Sequence, residues 1–394
     1  MTKKTPKLRF KEFSDDWEQR KLGDIYQRNT ERNTNLIDYS KTISVATMSF
    51  KDEGNGASED SLSSYKVLRI GDIAFEGHTN KQFRFGRFVV NDIGIGIMSP
   101  RFSTLRPIGD LPVNFWKQYI HYEPIMRKVL VNATKAGTMM NELVIPEFLN
   151  QTILIPQNDE QKKIGDYFSK LDNLITLHQR KLEKLRGLKK AYLEKMFPKK
   201  GTLYPELRFS GFTDAWEQRK LVNCFKERTE RCAEGELIAV TINSGVVKAS
   251  DLNRNNNSSE DKSHYKVVKK NDIAYNTMRM WQGASGYSKY DGILSPAYTV
   301  AIPNSEIDSV FFSYMFKRND LIHEFKINSQ GLTSDTWNLK FQMFSNIKVN
   351  VPIYEEQKKI GLFFSEIDNH ITLHQRKLDK LKQIKSGYLN SMFI

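Results

Sequence analysis

The chain carries one sequence pattern twice, and this repeat limits what it can fold into. The repeated segments are LRF at 8–10 and 207–209, WEQRKL at 17–22 and 216–221, EQKKIG at 160–165 and 356–361, and TLHQRKL at 176–182 and 372–378. The copies are offset by 199 positions for the first two segments and by 196 for the last two. The repeat unit is therefore about half of the 394 residues. Between these segments the halves diverge, which indicates two similar shells that hold different recognition surfaces.

Each half ends in a segment with the apolar periodicity of a coiled coil. The seam positions alternate in steps of four and three, and they are Ile164, Phe168, Leu171, Ile175, His178, Leu182 and Leu185 in the first copy and Ile360, Phe364, Ile367, Ile371, His374, Leu378 and Leu381 in the second. Such a seam needs a partner helix, and the other copy is the obvious one. We expect His178 and His374 to fix the register or to solvate a gap. We expect Lys189 and Lys385 to extend from the seam into solvent.

The seam alone does not decide whether the two helices run parallel or antiparallel. A segment of about 150 residues separates them, which permits either arrangement. Antiparallel packing places one globular domain at each end of the rod and creates a pseudo-twofold axis. Because duplex DNA has its own dyads, that geometry suits a duplicated DNA-binding protein. We therefore expect an antiparallel pair.

The pattern of the remaining segments predicts mixed α and β structure. Short strand-like runs such as 42–45 are broken by Gly, Asn, Ser and Asp, and helical stretches such as 114–130 lie between them. Trp17 and Trp216 are expected to anchor the WEQRKL segments on their domains. The predicted class is α+β, with two mixed α/β domains separated by a two-helix antiparallel coiled coil in an internal pseudo-twofold repeat. The expected segments are a first domain at 1–157, a first long helix at 158–197, a linker at 198–204, a second domain at 205–352 and a second long helix at 353–394.

The charge balance points to a polyanionic partner. The chain has 60 basic and 46 acidic residues, for a net charge of +14, so a polyanion is the first candidate for a partner. A basic protein that is merely well solvated is the alternative. The two cysteines, Cys224 and Cys232, match no metal motif and are expected to be reduced thiols. No apolar signal core or run of 18 apolar residues occurs, which favours a cytoplasmic protein without a membrane contact.

Catalytic signatures are missing from the sequence. No two prolines are adjacent, which excludes the Asp/Asn-Pro-Pro-aromatic motif of amino methyltransferases. No Gly-Lys dipeptide occurs, so there is no phosphate-binding P-loop. The seven histidines have no metal-ligand spacing. These observations predict a recognition module without catalytic residues, cofactor or metal of its own.

The divergent middles supply the candidate DNA contacts. Arginine reads guanine, glutamine reads adenine, and lysine neutralises phosphate. The candidates are Lys51, Arg84, Arg87 and Arg101 in the first half and Lys248, Arg279, Trp281, Gln282 and Lys289 in the second. The polar loops 51–64 and 248–263 could follow the DNA backbone or enter a groove. For each charged candidate the alternative is a solvated surface residue, and Trp281 could equally belong to the core.

Taken together, the repeated segments resemble the specificity subunit of type I restriction–modification enzymes. In each half the order is the same: LRF and WEQRKL, a GDIAF or NDIAY strand at 71–75 or 271–275, a proline before EQKKIG, and an ITLHQRKL helix. The resemblance covers the whole chain. It implies that each globular part is a target recognition domain that reads one half of a split, asymmetric DNA site.

The same resemblance implies partners. In that family the two helices dock two adenine methyltransferase subunits, and motor-nuclease subunits join the complex. The assembled complex would be an adenine-N6 DNA methyltransferase and an ATP-dependent endonuclease, and its S-adenosylmethionine, ATP and Mg²⁺ would bind to the partners. The rival interpretation is a coiled-coil scaffold or adaptor without sequence-specific DNA binding, although such a protein would not need two basic, divergent domains.

Overall fold

The chain folds into two compact units, and each unit contains segments of both long helices. A computed structural model describes residues 5–51, 56, 59–252 and 259–394. One unit comprises Met1–Gln179 and Lys377–Ile394, and the other comprises Arg180–Arg376. The last 18 residues therefore belong to the same unit as the first globular domain.

In its described residues the first globular domain contains twelve short strands and three short α-helices, and the long helix α4 follows its last strand. Its strands are β1 (Glu18–Lys21), β2 (Tyr26–Arg28), β3 (Ile43–Ser44), β4 (Ser49–Phe50), β5 (Lys66–Leu68), β6 (Ile73–Glu76), β7 (Arg87–Val90), β8 (Gly96–Met98), β9 (Thr104–Pro107), β10 (Thr134–Lys135), β11 (Glu142–Leu143) and β12 (Thr152–Ile155). Its helices are α1 (Val113–Tyr119), α2 (Glu123–Ala133), α3 (Ile145–Asn150) and α4 (Asn158–Lys195).

The second globular domain repeats this order of elements, with one strand pair fewer in the described residues. Its strands are β13 (Glu217–Lys220), β14 (Phe225–Glu227), β15 (Ile238–Thr241), β16 (Gly245–Lys248), β17 (Lys266–Val268), β18 (Ile273–Asn276), β19 (Ser285–Tyr287), β20 (Gly292–Leu294), β21 (Tyr298–Pro303) and β22 (Lys348–Val351). Its helices are α5 (Ser309–Met315), α6 (Asn319–Ile327), α7 (Phe341–Ser345) and α8 (Tyr354–Met392).

Both domains are organised around a four-stranded antiparallel sheet. The strand order is β2-β9-β6-β7 in the first domain and β14-β21-β18-β19 in the second. Smaller two-stranded pairs surround each sheet: β3-β4, β5-β8, β1-β12 and β10-β11 in the first domain, and β15-β16, β17-β20 and β13-β22 in the second. The prediction of two mixed α and β domains in an internal repeat is confirmed.

The WEQRKL segments contribute the first strand of each globular domain. Their EQRK residues form β1 and β13, which pair antiparallel with β12 and β22, the last strands before the long helices. Trp17 and Trp216 are each 1% exposed. The tryptophan and the leucine at the two ends of the motif are buried, while the four residues between them are exposed or half-buried. Both tryptophans anchor their segments, as the sequence predicted.

The EQKKIG segments begin the long helices and lock them onto their own domains. Glu160 is fully buried and binds the Arg9 guanidinium through two hydrogen bonds of 2.7 Å. Glu356 and Arg208 form the same pair at 2.7 and 2.8 Å. The glycine of the motif allows close packing, since a Cβ at Gly165 would lie 2.6 Å from the backbone nitrogen of Phe115. This pairing explains why LRF and EQKKIG are repeated together.

The two long helices run antiparallel in the contacts that each unit makes. In the first unit Tyr167 packs on Tyr388, with ring centroids 5.1 Å apart. Further along α4, Asp172 binds Lys385, which lies earlier in α8. Residues further along α4 thus contact residues earlier in α8, as expected for an antiparallel pair.

The second unit shows the same relation. Lys189 binds Asp368 at 2.6 Å, and Tyr192 packs on Phe363 at 5.0 Å. The expectation that Lys189 and Lys385 extend from the seam into solvent was wrong, because each ammonium group binds an aspartate of the opposite helix.

The seam positions are buried or half-buried throughout both helices, His178 and His374 included. By contrast, Leu177 and Leu373 lie outside the seam and are each 46% exposed. The ends of the helices complete the domain cores: Phe393 packs on Phe115 in the first unit. Phe197, just beyond α4, stacks on Phe311 in the second unit.

The repeated Asp-Ile-Ala strands are fixed by a buried aspartate. Gly71 and Asn271, which precede it, have φ values of 91° and 72°, a left-handed conformation that glycine and asparagine tolerate best. Asp72 accepts hydrogen bonds from the Arg106 guanidinium, and Asp272 accepts them from Arg228. The two arginines come from non-equivalent strands, since Arg106 is in β9 and Arg228 directly follows β14.

Both cysteines are free, with Cys224 buried and Cys232 exposed. Among the described residues no helix combines the length and the apolar character needed to cross a membrane.

Candidate nucleic-acid interface

Three loops converge at one end of the four-stranded sheet in each domain. The first, which we call the hairpin turn, joins β3 to β4 or β15 to β16, and the second, the sheet loop, joins β6 to β7 or β18 to β19. The third loop, which we call the helix loop, joins β10 to β11 in the first domain and α6 to α7 in the second. The three loops span 45–48, 77–86 and 136–141 in the first domain and 242–244, 277–284 and 328–340 in the second.

Backbone hydrogen bonds hold these loops together in the first domain. The Asn141 N–H in the helix loop donates to the Gly77 carbonyl in the sheet loop at 2.9 Å. A Cβ at Gly77 would lie 1.9 Å from the Asn141 carbonyl oxygen, so only glycine allows this approach. The Arg87 guanidinium, at the end of the sheet loop, donates to the Ala46 carbonyl in the hairpin turn at 2.9 Å.

The second domain joins its loops at corresponding places with different side chains. The Leu339 N–H in the helix loop donates to the Thr277 carbonyl in the sheet loop at 2.9 Å. Trp281 and Trp337 add an edge-to-face contact between the same two loops, with ring centroids 5.1 Å apart. The Trp281 indole N–H donates to the Met278 carbonyl at 3.0 Å, which fixes the ring.

The composition of the loops favours an anionic ligand. The six loops contain a single acidic residue, Asp335, although acidic residues make up 46 of the 394 in the chain. Basic side chains on these loops, such as Lys81, Arg84 and Arg279, are exposed. A surface with positive charge and few carboxylates attracts a phosphate backbone without repelling it locally.

The candidate DNA contacts of the first domain differ in their exposure and in their position relative to the three loops. Arg84 is exposed on the sheet loop and is available to a ligand. Arg87 is committed to the protein, because it binds Glu76 at 2.5 Å and the hairpin turn. Arg101 and Lys51 are exposed but lie outside the three loops. Of the predicted loop 51–64, residues 52–55 and 57–58 lie outside the described residues.

In the second domain, three candidates share the sheet loop. Arg279 is exposed, while Trp281 and Gln282 are half-buried beside it. Lys248 binds Glu236 at 3.2 Å and is therefore partly neutralised. Lys289 is exposed, with its ammonium group 5.7 Å from the centroid of the Tyr287 ring. Of the predicted loop 248–263, residues 253–258 lie outside the described residues.

The sequence reasoning missed the helix loops and a basic cluster in the first domain, which consists of Arg28, Arg32 and Lys66. Trp337 was not singled out, although a tryptophan in a polar, glycine-containing segment is itself a signal for a contact surface. In the cluster, burial and the charges of Arg32 and Arg28 lower the pKa of Lys66. The equivalent Lys266 instead binds Glu227 at 3.5 Å, so the cluster is particular to the first domain.

The surfaces formed by the three loops have the geometry of a recognition site. Within the described parts of the chain, no group of three or more histidine, cysteine, aspartate or glutamate side chains is placed to hold a metal ion. What the loops present is a set of hydrogen-bond donors and aromatic rings on a rigid sheet, which suits reading of a nucleic acid.

Comparison with known proteins agrees with this geometry. The family model described as the type I restriction modification DNA specificity domain matches residues 14–186 and again 213–383. The chain is 22% identical to the MjaX type I restriction enzyme specificity subunit of Methanocaldococcus jannaschii, over 96% of this chain and 93% of that protein. It is 23% identical to the MjaVIII specificity subunit of the same organism, over 69% and 68% of the two chains.

A solved structure shares the fold. The crystal structure of the type I restriction–modification S subunit from M. genitalium covers 99% of both chains, with a TM-score of 0.63 and 17% sequence identity. Two copies of the matched domain account for most of the sequence, and each contains one four-stranded sheet with its three loops. The chain therefore belongs to the type I restriction modification DNA specificity domain family and is a specificity subunit with two target recognition domains.

Proposed function

We propose that each unit of this chain reads one half of a bipartite, asymmetric DNA site through its three converging loops. The observation that carries the proposal is that the same frame holds different side chains in the two copies. Arg84 stands on the sheet loop of the first domain, and Arg279, Trp281 and Gln282 stand on that of the second. Two different sets of donors on equivalent loops fit two different half-sites.

Sequence specificity for DNA is the role of this family, whose specificity subunits are themselves non-catalytic. We propose further that the long helices dock two identical adenine methyltransferase subunits, and that motor-nuclease subunits join them. S-adenosylmethionine, ATP and Mg²⁺ would then bind to those partners. The support is the repeated TLHQRKL segment, in which Leu177 and Leu373 occupy equivalent positions and are exposed to the same degree. Equivalent apolar side chains on a repeated surface suit two copies of one partner.

A domain exchange tests the half-site assignment. Residues 205–352 are replaced by the corresponding domain of another specificity subunit, and the complex with its methyltransferase is expressed in a strain without other methylation. Single-molecule sequencing of the genomic DNA should show one half of the methylated motif changed and the other half retained. If both halves change, or neither does, the assignment of one domain to one half-site is wrong.

The docking surface has its own test. Leu177→Asp and Leu373→Asp should each reduce the methyltransferase recovered with the chain from two copies to one, and the double variant should recover none. Because neither leucine is part of the seam, helicity should be preserved in circular dichroism. Unchanged stoichiometry in the double variant would remove these residues from the interface.

A further inference from the structure

Lys317 lies in the turn between α5 and α6 and points at two of the three loops of the second domain. Its ammonium group donates to the Ile242 carbonyl in the hairpin turn at 2.9 Å. It also donates to the Gly283 carbonyl in the sheet loop through a second, short hydrogen bond. One half-buried ammonium group thus connects both loops to the turn between α5 and α6.

The Gly283 carbonyl belongs to the part of the sheet loop that carries the proposed DNA contacts. Residues 280–282 form a single 3-10 turn, and Gly283 ends it in a left-handed conformation with φ of 81°. Arg279 directly precedes this turn, and Trp281 and Gln282 are within it. A shift of the Gly283 carbonyl therefore moves all three side chains.

The first domain has a histidine at the equivalent place. His121 follows α1 at the same distance as Lys317 follows α5. Its Nδ1 donates to the Phe88 carbonyl at 3.0 Å, and its ring lies 5.0 Å from that of Phe83 in the sheet loop. A polar side chain at this position thus holds the sheet loop in both domains, through different chemistry.

We propose that Lys317 is the positioning residue of the second recognition surface: it sets the relative placement of the hairpin turn and the sheet loop, and thereby the bases that this domain selects. The inference rests on the proposed reading of one half-site by each unit. It adds a residue that touches no base and acts through the backbone of the loops.

Protonation of Lys317 gives this role a pH dependence. Burial, together with the charge of Lys189, lowers the pKa of Lys317 to about 8. Both hydrogen bonds weaken when the ammonium group becomes a neutral amine, because charged donors bind carbonyls more strongly. The other titratable groups that line the same cleft, which has a volume of about 460 Å³, are Lys189, Tyr287, Lys289, Tyr290, Tyr314 and Asp368. Lys189 is paired with Asp368. Burial raises the pKa of Tyr314, so its hydroxyl stays neutral near pH 8.

The test uses the complete chain with its methyltransferase and the duplex motif that methylation mapping identifies. Affinities are measured for the cognate duplex and for duplexes altered in either half. Lys317→Met, which keeps the length of the side chain, should reduce discrimination by about tenfold at the half-site of the second domain. Discrimination at the other half-site should be unchanged. Lys220→Met is the control, because Lys220 is an exposed lysine of β13 away from the loops.

The pH profile separates positioning from a general structural effect. Wild-type discrimination at the second half-site should fall as the pH rises from 7 to 9, whereas that of Lys317→Met should be flat. Lys317→Arg, which remains charged, should retain discrimination at pH 9. Equal losses of discrimination at both half-sites would overturn the inference. So would a wild-type profile that does not fall with pH, or a fall that persists in Lys317→Met. Failure of the complex to methylate any motif would instead contradict the proposed function itself.

Discussion

The buried ion pair between Arg208 and Glu356 offers a quantitative test of how each long helix is held to its domain. The Glu356 side chain is fully buried and that of Arg208 is 15% exposed. Their two hydrogen bonds are the bidentate arrangement that arginine makes with a carboxylate. The hydrogen bonds that the Arg208 guanidinium donates to Glu356 also raise the pKa of Arg208, so its charge persists at all practical pH values.

Removing one partner of the ion pair should lower the free energy of unfolding much more than removing both. Arg208→Met leaves a buried carboxylate unpaired, which should cost about 3–5 kcal/mol of the free energy of unfolding. In Arg208→Met/Glu356→Met both charges are gone, and apolar side chains of similar length fill the space. The double variant should therefore recover most of that loss. Because Glu356 lies in the first turn of α8 within the second unit, only the unfolding transition of that unit should shift.

Urea unfolding followed by circular dichroism gives the free energies for a double-mutant cycle. Arg9→Met is the matched variant in the first unit, where the equivalent Glu160 is also fully buried. It should lower stability by a similar amount in the other transition. A loss below about 1 kcal/mol in Arg208→Met would be typical of an exposed pair and would refute the argument from burial.

Further predictions concern the recognition loops and the helices. Arg279→Ala should cost about 1–3 kcal/mol of binding to the cognate duplex and less on random DNA if it reads a base, whereas equal losses on both would assign it to the phosphate backbone. Because the pKa of Lys317 is lowered to about 8 from 10.5, this side chain binds more protons in the unfolded chain between these values, so the stability of the wild type relative to that of Lys317→Met should rise with pH there in urea unfolding. Gly187→Ala should stabilise α4 by roughly 0.5–1 kcal/mol in thermal unfolding, because an added Cβ meets nothing within 4 Å. Gly165→Ala should instead destabilise the first unit, because its Cβ would lie 2.6 Å from a backbone atom.

The sequence was sufficient to predict the frame because the frame depends on repeated side chains. The seam, the tryptophan anchors and the order of elements each follow from periodicity or from identical segments in both halves. The Lys189 and Lys385 pairs were missed for a definable reason. Their aspartate partners are 179 and 213 positions away in the sequence, and a heptad pattern does not show which residue faces which until the register is known.

The recognition surface was predicted only in part, since proximity between loops is a tertiary property. Arg84 and Arg279 were selected as DNA contacts because of their residue type, but so was Arg87, which binds Glu76 on the neighbouring strand. Nothing local distinguishes Arg84 from Arg87 in the sequence. The helix loops were overlooked because the residues that join them to the sheet loops are far apart in sequence: Asn141 and Gly77 are 64 positions apart, and Leu339 and Thr277 are 62 positions apart.

The way the loops are joined explains how the two domains could diverge without losing their shared geometry. The contact between sheet loop and helix loop is a main-chain hydrogen bond in both copies, from Asn141 to Gly77 and from Leu339 to Thr277. Main-chain donors and acceptors remain when side chains change, so substitutions on these loops alter the surface and preserve its placement. The buried aspartate below the loops shows the same tolerance, since Asp72 and Asp272 take their arginines from different strands. A frame that depends on backbone bonds and replaceable ion-pair partners can accept new loop sequences, and this is the property that a protein needs if its binding specificity is to change while its partner surfaces stay the same.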